Sequence, residues 1–250
     1  MLLRTLWRAT TLTACMAAIA KPASASVVLG GTRVIYPAAE REITLRLGNE
    51  GADPALVQAW IDDGDASAIP DDANVPFMAM PPLFRLAPGK GQTLRIVHTG
   101  EPITRERESL FWLNVLQVPP ASDTEGTNSL QLAFRSRIKM FYRPDGLPGD
   151  AAAAPAAVTW QFVRDVNGHH ALAATNPTPY HVTFSRIAVR SGHTSHQSEA
   201  GAMVAPGATA VIDIGAATEI VNPSPDRVDY TFVNDYGAGV DGTRENADKQ

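Results

Sequence analysis

An all-β chain built as two β-sandwich domains is what this sequence predicts, and three observations carry the prediction. Short runs rich in β-branched and aromatic residues recur from residue 27 onward, with no helical periodicity among them. Pro, Gly, Asn and Asp punctuate those runs where turns are needed. A Pro/Gly/Ala-rich stretch at 144–157 (PDGLPGDAAAAPAA) divides them into two sets.

The first 25 residues stand outside this pattern. Arg4 and Arg8 precede a run of small apolar residues, and Ala23-Ser24-Ala25 supplies a small-x-small cleavage pattern. Residues 1–25 read as a secretory signal, too short for a good membrane span. Cys15, the only cysteine, lies inside it, so the exported part has no disulfide and depends on its core. That part is long enough for two domains of about a hundred residues each, expected at 26–146 and 147–250.

In the first domain, residues 27–29 and 33–36 read as short strands, with a turn at Pro37. Residues 42–47 (EITLRL) alternate as a half-buried strand does, and Gly48-Asn49-Glu50-Gly51 turns them. Residues 55–61 (ALVQAWI) read as a buried strand. Strand character continues over 77–86, through Pro81-Pro82, and over 92–98 after the Pro88-Gly89-Lys90-Gly91 turn. Residues 110–117 (LFWLNVLQ) are strongly apolar and stop at Pro119-Pro120.

One long strand is then expected over 129–144 (SLQLAFRSRIKMFYRP). Leu130, Leu132 and Phe134 alternate with Gln131, Ala133 and Arg135, and the cations Arg137, Lys139 and Arg143 follow. Such a strand is either a central strand with a cationic end or an exposed edge, which proteins blunt unless pairing is its function. About seven strands at this spacing suit an immunoglobulin-like sandwich. The second domain repeats the texture at 158–163, 170–175, 181–189, 207–214 and 228–233, and the polar tail from Gly237 is expected to fray.

Most chemistry is absent. A net charge of −5 argues against nucleic acid as a partner, and no second apolar span supports membrane insertion. There is no nucleophile elbow, phosphate-cradling loop or exported thiol. His193, His196 and Glu199 have metal-like spacing but sit in a Ser/Gly/Thr/Gln loop typical of solvated histidines. Asp62, Asp63, Asp65, Asp71 and Asp72 lack the glycine and terminal glutamate of a calcium loop and read as a solvated turn. Neither an enzyme nor a metal or other cofactor is expected.

Several motifs, in order, resemble a known family. They are Thr32-Arg33, Gln58-Ala59-Trp60, Pro81-Pro82 with Arg85-Leu86 and Pro88-Gly89, and Arg107-Glu108-Ser109-Leu110-Phe111. Ile138-Lys139-Met140-Phe141-Tyr142-Arg143-Pro144, Asn176-Pro177-Thr178-Pro179-Tyr180 and Asn234-Asp235-Tyr236-Gly237 complete the set. Together they resemble the periplasmic chaperones of the chaperone–usher pathway, the PapD-like proteins that assemble pili.

The resemblance implies two immunoglobulin-like domains set at an angle with a cleft between them. It implies pilus (fimbrial) subunits and an outer-membrane usher as partners, and a periplasmic location. A subunit is a sandwich lacking its last strand, which the chaperone lends. By match to the family, Leu130, Leu132 and Phe134 plug the subunit's groove, and Arg33 with Lys139 holds its C-terminal carboxylate. Glu108, Arg143 and Asp235 match an interdomain charge network, and Pro54 and Pro81 match usher-facing prolines. The short segment before Leu130 and the lack of disulfides resemble the short-loop subgroup, whose clients are rod-like or tip-bearing pili. An uncovered apolar edge also leads us to expect self-association of the unloaded chain. The alternative is a secreted pilin or adhesin-like sandwich.

Overall fold

The computed structural model describes residues 26–70, 74–120, 131–164, 169–191, 194–198, 201–214 and 225–245. The expected signal segment, Asp71, Asp72, Leu130, His193 and Glu199 lie outside the described residues.

Alternating patterns in the first half fold as they read. One sheet is ordered β1 (Val27–Leu29), β3 (Glu42–Asn49), β7 (Gly91–His98) and β5 (Phe77–Met80). The sheet facing it is ordered β2 (Arg33–Pro37), β9 (Phe134–Arg143), β8 (Ser109–Val118), β4 (Ala55–Asp62) and β6 (Leu83–Leu86). Inward side chains of both sheets, among them Tyr36, Leu47, Leu94, Ile96, Leu113 and Met140, are fully buried and form one core.

A second core belongs to a second sandwich. There β10 (Thr159–Arg164), β11 (His170–Thr175) and β15 (Thr209–Asp213) form one sheet. The other has β13 (Thr194–Ser198), β12 (Val182–Ser191), β16 (Arg227–Val233) and β17 (Gly239–Glu245) in order, with β14 (Ala202–Val204) also on β12. Between them the Phe184 ring lies 5.1 Å from that of Trp160 and 5.2 Å from that of Tyr230.

Four expectations are corrected. Residues 77–86 are two strands in different sheets, because Pro81-Pro82 cannot donate to a ladder and the chain crosses over there. The stretch at 144–157 is not a loose linker: it ends in a helical turn, α1 (Ala154–Ala157), whose Ala154 is buried in the second core. The described part of the tail, residues 237–245, does not fray but forms β17, paired with β16 from Val233↔Gly239 to Arg227↔Glu245. That strand is mostly exposed and so carries no apolar alternation; Gly242 leaves room for the Tyr230 ring, which would lie 2.4 Å from any Cβ there. Finally, β9 begins at Phe134, so Leu132 precedes the strand and is 50% exposed.

Leu113 sits at the centre of the first core on the middle strand of its sheet, with no exposure. Leu113→Ala is expected to cost about 2–5 kcal/mol in chemical denaturation. A loss below about 1 kcal/mol would show that this strand does not organise the domain.

Candidate functional site at the domain junction

Strand β9 has a neighbour on both sides for only part of its length. It pairs antiparallel with β8 throughout, from Phe134↔Gln117 to Tyr142↔Ser109. On its other edge β2 runs parallel to it only from Arg33↔Lys139 to Pro37↔Arg143. Among the described residues, 134–138 therefore present an unpaired backbone edge.

The period of two sorts the side chains of β9. Met140 is fully buried in the first core, with Ile138 and Tyr142 packed against it. Phe134 shares their parity but lies past the end of that core, half-exposed. The opposite face carries Arg135 over the Trp60 ring at 4.7 Å and Arg137 over the Trp112 ring at 4.1 Å. Further along that face, Lys139, Phe141 and Arg143 run into the second domain. Lys139 thus takes the face opposite Phe134, as its parity requires.

Arg33 and Lys139 are direct partners in the β2–β9 register. The Arg33 Nη1–H donates to Val233 O of the second domain at 2.8 Å, while its buried Nε–H finds no acceptor among the described residues. Lys139 Nζ lies 3.5 Å from Thr183 Oγ1 and 5.8 Å from the Trp112 ring centre. Neither cation has an ion-pair partner among the described residues. Burial pushes the Lys139 ammonium below its usual range, and the neighbouring Arg33 charge pushes it further. Burial lowers Arg33 too, against the opposing pull of Asp235 and Glu108. Two cations without ion-pair partners beside one idle buried donor are chemistry suited to an anion.

A cavity of about 260 Å³ opens beside this pair between the sandwiches, lined in part by Arg33, Phe141, Thr183, Val233, Asp235 and Tyr236. Glu108, Arg143 and Asp235 meet at its wall. Arg143 Nε–H donates to buried Glu108 at 2.7 Å, and its two terminal nitrogens donate to the Asp235 carboxylate at 2.7 and 2.9 Å. The His181 backbone N–H donates to the other Glu108 oxygen at 2.7 Å. Burial opposes the charge on Arg143, but Asp235 and Glu108 outweigh it and hold the guanidinium above its ordinary value. Gly237 completes the joint: its φ is +83°, and a Cβ there would lie 2.1 Å from Thr32 Oγ1 of the first domain.

The two prolines stand apart. Pro54 precedes β4 and Pro81 precedes β6, and the register Ala55↔Leu86 to Gln58↔Leu83 puts them at opposite ends of one short ladder. Exposed Leu56, Met78, Met80 and Leu83 lie on the strands beside them.

Sequence reasoning missed Asp62. It is no solvated turn residue: it is 1% exposed and paired with Arg137 at 2.5 Å. The signal lay in its parity, since Asp62 falls on the same face of β4 as Trp60 and opposite Trp112.

Arg143→Ala leaves buried Glu108 without its guanidinium, so a loss of about 3–5 kcal/mol is expected, with loosening of the two domains. Denaturation combined with small-angle scattering checks this; an unchanged radius of gyration would mean that other contacts hold the joint.

Two family models cover the described chain: the PapD N-terminal domain of pili and flagellar-assembly chaperones at residues 26–148, and the PapD C-terminal domain at 153–244. The chaperone protein FimB/FhaD of Bordetella pertussis is 50% identical over 77% of this chain and 79% of its own length. The probable fimbrial chaperone YadV of Escherichia coli K12 is 40% identical over 91% and 92%. The crystal structure of the YadV chaperone superposes with a TM-score of 0.74 at 36% identity, covering 89% of this chain and all of that one. The SafB chaperone, solved in complex with the SafA pilin of Salmonella enterica, gives 0.73 at 28% identity, covering 90% and 99%. The pilin or adhesin alternative is thereby set aside, and the chain belongs to the PapD family of pili-assembly chaperones.

Proposed function

We propose that this chain binds fimbrial subunits in the periplasm by lending them the open half of β9, and delivers them to an outer-membrane usher. The observation that carries the reading is the meeting, at one residue, of the open edge and the unneutralised pair Arg33 and Lys139. A subunit's C-terminal carboxylate held there sends its last strand back along residues 134–138. That strand then runs parallel to β9, end to end with β2 on the same edge. Main-chain hydrogen bonds supply affinity that tolerates different subunit sequences. Leu132 and Phe134, with Leu130 ahead of them, supply apolar plugs, each contributing roughly 1.5–3 kcal/mol before the costs of association.

Glu108, Arg143 and Asp235 act in this reading as a brace that keeps the anchor's two walls in place. The apolar side chains around Pro54 and Pro81 form the surface offered to the usher. An N-terminal signal cut after Ala25 accounts for export, and the unloaded edge accounts for self-association, readable by sedimentation.

Co-expression with a fimbrial subunit encoded beside the gene tests the reading. Wild type is expected to yield a soluble one-to-one complex, which Arg33→Ala and Lys139→Ala lose by at least tenfold. Capture undiminished in both variants would remove the anchor, and no capture by wild type would remove the function.

The pH dependence has a fixed sign. Lys139 is held below its usual range in the free chain and a bound carboxylate raises it, so binding takes up a proton. Affinity is therefore full while free Lys139 is charged and falls as pH rises through its lowered value. A titration between about pH 7 and 10 is expected to show weakening in wild type that Lys139→Arg abolishes.

A further inference from the structure

The outer face of β9 carries three cations in a row, Arg135, Arg137 and Lys139, and among the described residues only the last lacks an ion-pair partner. Arg137 is gripped by Asp62: its Nη2 lies 2.5 Å from Oδ1 and its Nε 3.2 Å from Oδ2. Asp62 also accepts from Asn114 Nδ2 at 2.6 Å and from the Gly64 backbone N–H at 2.8 Å. Arg135 joins the cluster, its Nη2 lying 3.7 Å from Asp62 while its Nε–H donates to Asn114 Oδ1 at 2.9 Å. Trp60 and Trp112 lie under the two guanidinium groups. Burial works against the Asp62 charge, but the hydrogen bonds from Arg137, Asn114 and Gly64 outweigh it and hold the carboxyl below its usual range.

A buried ion pair of this kind is weak evidence for stability, because desolvation offsets most of the Coulomb gain. Its position suggests another role. Arg137 sits two residues before Lys139 on the same face, roughly 7 Å along the strand, and beside the open edge. A free guanidinium there would bind a carboxylate through two parallel hydrogen bonds, better than an ammonium does.

The two possible slips differ. A partner strand displaced by one residue turns every side chain to the wrong face and rejects itself. A strand displaced by two keeps its faces, so alternation gives no protection against it.

We propose that Asp62 is a register-setting residue: by sequestering Arg137 and Arg135 it removes a decoy anchor and leaves the subunit carboxylate only the Arg33–Lys139 site. Asp62 acts through Arg137 and touches no ligand, so it is a positioning residue. The inference rests on the donor-strand reading and goes beyond it in naming what excludes the two-residue slip.

The exported chain has no cysteine, so Ser136→Cys places a single thiol on the open half of β9. The probe is a synthetic peptide with the C-terminal sequence of the subunit captured above, carrying one cysteine moved position by position. With Asp62 intact, one peptide position is expected to form the disulfide, since a shift of roughly 7 Å exceeds the reach of the bond. With Asp62→Asn, a second disulfide is expected two positions nearer the peptide C terminus, at a tenth or more of the native yield. Adding Arg137→Gln is expected to abolish it.

A single native position in Asp62→Asn overturns the proposal, whatever happens to stability, and so does a shifted disulfide that survives Arg137→Gln. Asp62→Ser, which keeps an acceptor for Asn114 and Gly64 without the charge, replaces Asp62→Asn if circular dichroism shows that variant unfolded. Failure of both to fold also overturns it, because Asp62 would then serve the fold. If the thiol crosslinks to no position with Asp62 intact, the donor-strand reading itself fails, an outcome distinct from the others.

Discussion

Everything at the junction follows from the place where β2 stops covering β9. A sheet edge has unsatisfied N–H and C=O groups wherever a strand lacks a neighbour, and those groups need a partner or water. Here the covered and uncovered parts of one strand meet at Lys139, directly opposite Arg33. The backbone beyond that point asks for a strand, and the two charges at it ask for an anion. A chain terminus offers both at once, with the anion at the end of the strand. In the proposed reading, a C terminus is therefore preferred over an internal segment before any side-chain preference operates.

Both cations also touch the second sandwich. Arg33 belongs to the first sandwich but is oriented by Val233 O of the second, and Lys139 comes within 3.5 Å of Thr183 across the same gap. Exposed ion pairs contribute little to stability, and this brace is instead anchored on buried Glu108. Its Arg143 uses both sides of the guanidinium fork, one toward each domain's carboxylate. One guanidinium thus ties the two sandwiches together at a single point.

Much of this was legible in the sequence. Strands with one buried face announced themselves through alternation, as at 42–47 and 92–98, because burial and the period of two act on the same residues. The opposite faces of Lys139 and Phe134 could be read from parity alone. Polar elements left no such trace: β17 is exposed on nearly all of its length, β13 is polar even where Ser198 is buried, and only their pairing reveals them. Asp62 was misread for the converse reason. It looked like one more acid in an acidic stretch, and its burial depends on Arg137, 75 residues away. Long-range charge pairing leaves no local signature, whereas the residues gathered at the junction were singled out through whole motifs.

The contact at Gly237 has a consequence for how such proteins can be taken apart. Thr32 on one side and Gly237 on the other fit without space for a single extra methyl group, and Arg33 reaches across to Val233 O beside them. The two sandwiches have separate cores and separate family models, yet the cavity between them is lined by both. A chimera joining the first sandwich of one relative to the second of another would inherit two sound folds and a mismatched seam. Only a graft that carries both sides of the seam together keeps the site whole.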